Sequence, residues 1–309
     1  MSELSMRRIA LALFALCLGL LLVAIVMSQV GDRRSTAIPD PRIAYPRKMW
    51  AQYSFTLQNE TGRLLERAEL WTYAPVKQTA AQRCDRIEAS HPYELLEDRL
   101  GNQVLHFTFK DLPPYGSKIV RIRAELSTSD IPNRIIPGSV EDALRPGRCI
   151  ESDDPRVVQL ARDIRVDPAA SRPQAFFRWI AENIRNADYT REDRGALDCL
   201  TRRAGDCTEQ MYLFIALCRA AGIPARGVGG YVCEGDCVLR PSDYHNWAEL
   251  LQDGFWRLAD PQKRVFMENP SRYIAMRILG ASDPQDEHPM GPFHRFRFEG
   301  DGLNVRMNQ

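Results

Sequence analysis

The run AGDCTEQMYLFIALCRAAGIPARGVGGY, residues 204–231, constrains the fold more than any other stretch of the chain. Asp206 is a strong helix N-cap, and Glu209 three residues on completes a capping-box pattern, so a helix is expected to begin at Cys207. From Met211 to Ala221 the residues are apolar almost all round, as in a helix inside a domain. Gly222 ends it and Pro224 forbids its resumption. Cys207 then sits where unpaired N–H groups and the positive end of the helix dipole favour a thiolate.

A lone cysteine is more often a packed structural thiol than a nucleophile. The segment DYHNWAELLQDGFWRLADPQ, residues 243–262, changes that balance. It alternates as a hairpin with Asp253-Gly254 as a two-residue turn. In that register Trp247 lies opposite Asp260, and His245 is a diagonal neighbour of Asp260 on the same face. A three-residue loop would instead send His245 and Asp260 to opposite faces. The pattern offers Cys207, His245 and Asp260 as nucleophile, base and orienting group of a Cys–His–Asp relay. On the same face Trp247 reads as packing and Glu249 as structural pairing.

Taken together, GDCTEQMYLFIALCRAAGIPARGVGGY, HNWAEL and FWRLADP, in that order and spacing, resemble the transglutaminase-like superfamily of cysteine enzymes. The resemblance covers roughly residues 150–265 and assigns Cys207 as nucleophile, His245 as base and acid, and Asp260 as the group orienting His245. It implies an α+β, papain-like core whose buried helix, with the cysteine at its N-terminus, packs on an antiparallel sheet. An aromatic donor in the loop before the cysteine, with Tyr189 as candidate, would complete the oxyanion site. The substrate class it implies is a peptide or protein amide, acylating the enzyme as a thioester. Three functions are open: acyl transfer to an amine, cleavage by an envelope cysteine peptidase, and an inactive module keeping the fold for partner docking.

Length and charge frame the rest. The 309 residues suit two domains, and a net charge of +1 gives no basic excess for nucleic acid. Residues 9–27 are an uninterrupted apolar run of 19 residues, within the ~17–25 needed to span a bilayer. The run exceeds a usual signal-peptide core and no A-x-A site follows, so residues 1–30 are expected to be an uncleaved single-pass anchor in the inner membrane. The catalytic domain would then lie on the periplasmic or extracytoplasmic side. Residues 31–48 read as a linker. Alternating runs over residues 49–130 read as a small β-sandwich, which resembles, more weakly, the domain that often precedes this core in bacterial members. Residues 131–154 bridge to a catalytic domain over residues 155–280. There helices are expected over residues 155–165 and 172–188, followed by an irregular loop over residues 189–205. The tail, residues 281–309, is expected to close with strands around Gly300-Asp301-Gly302.

Cys233 and Cys237 flank a tight Glu234-Gly235-Asp236 turn and are candidates for a structural disulfide if their Cα atoms approach within about 7 Å. No cysteine–histidine set has zinc spacing and no calcium-loop pattern occurs, so no metal or cofactor is expected.

Overall fold

In strand β1 (Arg47–Asn59) Ala51, Tyr53, Phe55 and Leu57 are buried and the residues between them are not, the period of two that makes one face of a sheet into core. The computed structural model describes residues 44–135, 139–190, 192–280, 290 and 295–309. Contacts divide the chain into residues 1–43 and a unit spanning residues 44–309. The expected membrane anchor lies outside the described residues. Among the described residues no helix is long and apolar enough to cross a membrane.

The first half of the unit is a sandwich of two sheets. Strand β1 pairs antiparallel with β6 (Ser117–Thr128), which pairs with β3 (Gln82–Ala89). In the second sheet β2 (Leu65–Ala74) pairs with β5 (Gln103–Leu112), which pairs with β4 (Glu94–Glu97). The inward faces of β1, β2, β5 and β6 share one core containing Phe55, Leu70, Phe107 and Ile122.

The second half builds the helical layer and a third sheet. Helices α1 (Pro155–Asp163) and α2 (Arg172–Asn183) begin at Asp154 and Ser171, each side chain capping its helix, with proline in the first turn. The stretch expected as a helix to residue 188 stops at Asn183. The next residues form β7 (Arg185–Asn186), which runs parallel to β8 (Ala204–Gly205), just ahead of Cys207. The loop expected between them contains helix α3 (Ala196–Arg202). Its first-turn N–H groups, those of Ala196 and Leu197, donate to the carboxylate of Glu151. That cap comes from 45 residues away, and no local pattern records it.

Helix α4 (Cys207–Ala220) is buried along nearly its whole length. It packs on a sheet ordered β13 (Val265–Phe266), β12 (Phe255–Asp260), β11 (Tyr244–Gln252), β9 (Ala225–Val232) and β14 (Tyr273–Leu279). Short β10 (Cys237–Val238) leaves this region and pairs with the outer edge of β1. The tail does not fold as a hairpin on itself. Its strand β15 (Phe296–Glu299) joins β2, and β16 (Leu303–Met307) joins β1, so the turn between them crosses from one sandwich sheet to the other. Gly300 and Gly302, both with positive φ, permit that crossing. Sandwich and core thus share strands within one unit.

Candidate active site

Two local devices position the site. The first is the start of α4. Asp206 Oδ1 accepts from the Thr208 N–H at 2.7 Å, and Glu209 Oε2 accepts from the Asp206 N–H at 3.0 Å, which closes the capping box. Cys207 is therefore held at the helix tip, partly exposed and not in a disulfide. Burial, followed by the contact with Asp206, pushes the Glu209 carboxyl up to about 7.

The second device is the hairpin of β11 and β12. Asp253 and Gly254 both take positive φ, as a tight two-residue turn demands, and Gln252 pairs with Phe255 while Ala248 pairs with Ala259. That register brings His245 Nε2 to 2.6 Å from Asp260 Oδ2. Both side chains are buried, His245 at 5% exposure and Asp260 at 1%. With Nε2 engaged by Asp260, the other ring nitrogen is left for the Cys207 thiol, which lies close enough to act on the ring's titration. Burial alone would depress the His245 pKa. The hydrogen bond to Asp260 and the nearby Cys207 thiol, with their charges, outweigh it and raise the ring to about 9. The structure thus brings Cys207, His245 and Asp260 together from a helix tip and two strands.

Asp260 has two further partners that sequence reasoning missed. The Tyr273 hydroxyl donates to Oδ2 at 3.0 Å, and the Lys263 N–H donates to Oδ1 at 3.1 Å. Tyr273 also meets the Trp247 ring edge-on at 5.0 Å, so Trp247 does pack beneath the site. Glu249 accepts from the buried Arg226, directly across the sheet, with the guanidinium 4.0 Å from the Trp256 ring. That pair braces β9 against β11. Asn246 Nδ2 donates to Thr208 Oγ1 at 2.9 Å and ties the histidine strand to the first turn of α4.

Residues 158–261 match the model of the transglutaminase-like superfamily. The segment that carries Cys207, His245 and Asp260 is thus similar to that superfamily's core. The transglutaminase-like fold is shared with a candidate cysteine protease from Cytophaga hutchinsonii, 21% identical, with a TM-score of 0.57, 84% of this chain and 90% of that one being covered. The periplasmic domain of TgpA from Pseudomonas aeruginosa also aligns, at 18% identity and a TM-score of 0.37, over 67% of this chain and 90% of that one. No curated protein matches.

Three other expected residues sit differently. Tyr189, the candidate second oxyanion donor, is 65% exposed, with the Arg295 guanidinium 5.9 Å from its ring. A hydroxyl so open to water is not a preorganised donor. The buried tyrosine that feels the charge of Cys207 is instead Tyr244. Cys233 and Cys237 are free thiols, so the expected bridge is not formed. The two thiols lie close enough to act on each other's titration, lowering the Cys233 pKa and raising that of Cys237. The turn between them serves another end, since it places Cys237 opposite Ala51 at the edge of β1.

Proposed function

We propose that the chain is a cysteine-dependent acyl-transfer enzyme acting on peptide or protein amides, with Cys207 as nucleophile, His245 as acid and base, and Asp260 as the orienting carboxylate. The supporting observation is the buried His245 ring held by Asp260, with the Cys207 thiol at the start of a helix close enough to act on its titration. The Cys207 Sγ attacks the amide carbonyl carbon, and the carbonyl oxygen becomes an oxyanion. The Asp206 cap engages the N–H groups of Thr208 and Glu209, which leaves the Cys207 N–H as the donor for that oxyanion. As the C–N bond breaks, the imidazolium of His245 gives its proton to the departing amine, and a thioester remains. A ring raised to about 9 holds that proton at neutral pH. A second amine, or water, then loses a proton to His245 and expels the thiolate. Tyr273 and Asp260 keep the ring in the tautomer and orientation both steps require.

The apolar run at residues 9–27 supports an anchored enzyme working on the outer side of the inner membrane. The test uses a glutamine-bearing protein with a fluorescent primary amine, followed by mass spectrometry of both components. Amine incorporation that disappears in Cys207→Ala, with the circular dichroism unchanged, supports transfer. Fragment release without incorporation converts the reading to a peptidase. Retained activity in Cys207→Ala removes that residue as nucleophile.

A further inference from the structure

Arg277 is a buried cation, 6% exposed, on β14. It stands directly across from Gly229 on β9, and Gly229 stands directly across from Asn246 on β11. Paired positions project to one face of a sheet, so Arg277 and Asn246 flank a gap where Gly229 has no side chain. The Tyr244 hydroxyl fills that gap, for a Cβ at Gly229 would lie 2.1 Å from it and 2.9 Å from Asn246 Oδ1. Asn246 is bonded to Thr208, next to Cys207. One turn on along the same stripe of α4 is Tyr212, whose pKa is influenced by the charge of Arg277. The row therefore leads from a guanidinium, past a tyrosine hydroxyl, to the tip that carries the thiol.

What this guanidinium lacks is an anion. Among the described residues the Arg277 side chain closes no ion pair and makes no hydrogen bond, although its backbone belongs to the β14–β9 ladder. Its near neighbour is the Tyr73 ring, 5.4 Å from the guanidinium carbon. A ring stabilises the face of a guanidinium but accepts little from its five N–H donors. Asp193 feels the positive charge without pairing to it, and its Oδ2 is engaged by the Tyr212 hydroxyl at 3.0 Å. The other buried arginines are satisfied: Arg226 by Glu249, and Arg219 by the carbonyl oxygens of Ala225 and Arg145. A buried charge without a partner is costly, and a planar fork of donors matches a carboxylate above other anions of the peptide world.

We propose that Arg277 recognises a carboxylate on the acyl donor, so that the site selects peptides with a carboxylate close to the amide that Cys207 attacks. This rests on the nucleophile assignment made above, and the test separates the two. The full chain is alkylated with iodoacetamide and with iodoacetate, reagents that differ in a carboxylate, and modification at position 207 is followed by mass spectrometry. The ratio of iodoacetate to iodoacetamide rates is expected to exceed that of a free thiol by roughly tenfold at low salt, the scale of one unscreened charge at close range. Arg277→Gln should return the ratio to the free-thiol value, and Arg277→Lys should keep part of the excess. Short peptides then compete with iodoacetamide on the unaltered chain. Protection only by a free C-terminal carboxylate, or only by an acidic side chain on an amidated peptide, identifies which carboxylate is read.

A ratio equal to that of a free thiol, or one unchanged in Arg277→Gln, overturns the proposal while leaving the nucleophile in place. A Cys207 that reacts with neither reagent overturns both. Should Arg277→Gln not fold, the ratio in the unaltered chain and its decline with salt decide the matter.

Discussion

His245 Nε2 and Asp260 Oδ2 lie 2.6 Å apart, on adjacent strands of one hairpin, and the Tyr273 hydroxyl reaches the same carboxylate oxygen from a third strand at 3.0 Å. A histidine fixed in this way has its second nitrogen aimed by its first. Asp260→Asn should cost up to about 10⁴ in acylation rate, the loss seen when the corresponding serine-protease carboxylate is changed. Tyr273→Phe removes one donor to a charged oxygen and should cost roughly tenfold. Single-turnover acylation, in which Tyr273→Phe lowers the rate constant without weakening substrate binding, checks the assignment. An unchanged rate constant in that variant would make the hydroxyl a mere packing group.

The pH dependence of stability has a definite sign. His245 is raised from its ordinary 6.5 to about 9 in the folded chain. A group whose folded pKa is raised stabilises fully below its unfolded pKa, and that contribution is lost as pH rises through the folded value. Melting temperature should therefore fall between pH 6.5 and 9, and His245→Gln should flatten that limb. Glu209, raised from 4.5 to about 7, contributes a separate decline at lower pH that the variant retains. Thermal denaturation of both proteins across pH 4 to 10 measures it, and identical slopes above pH 7 would sink the attribution to His245.

Gly229 has no room for a side chain. A Cβ there would meet the Tyr244 hydroxyl at 2.1 Å and the Tyr244 Cζ at 3.0 Å. Gly229→Ala should displace the Tyr244 ring and the Asn246 amide, and with them the tie to Thr208, lowering activity more than stability. Combining it with Tyr244→Phe removes the closest clash, so the double variant should be more stable than Gly229→Ala alone. A double-mutant cycle in denaturant gives the coupling, and simple additivity would show that the two positions do not meet.

The buried pair of Arg226 and Glu249, 2.7 Å apart, braces β9 against β11 behind the histidine. Glu249→Gln leaves the guanidinium without its counter-charge and should cost about 3–5 kcal/mol. Replacing both residues together, as Arg226→Met with Glu249→Leu, should cost less than the single change, because no charge is then stranded. Urea denaturation of the three proteins tests this, and a double variant weaker than Glu249→Gln would show the ion pair to be a net stabiliser.

The chain's own order of residues determined the parts of the site that obey short-range rules. Asp206 and Glu209 set the first turn of α4 through a cap spanning three residues, and Asp253-Gly254 set a register that places His245 beside Asp260. Both follow from periodicity and turn geometry within one segment. Tertiary structure alone decided that Tyr273 completes the carboxylate's shell, that Glu151 caps α3, and that β15 and β16 part to join separate sheets. It also decided that Arg277 faces the gap above Gly229 with no anion beside it. These depend on which strand lies next to which, and that is settled by burial of whole faces, a quantity no local pattern of residues carries.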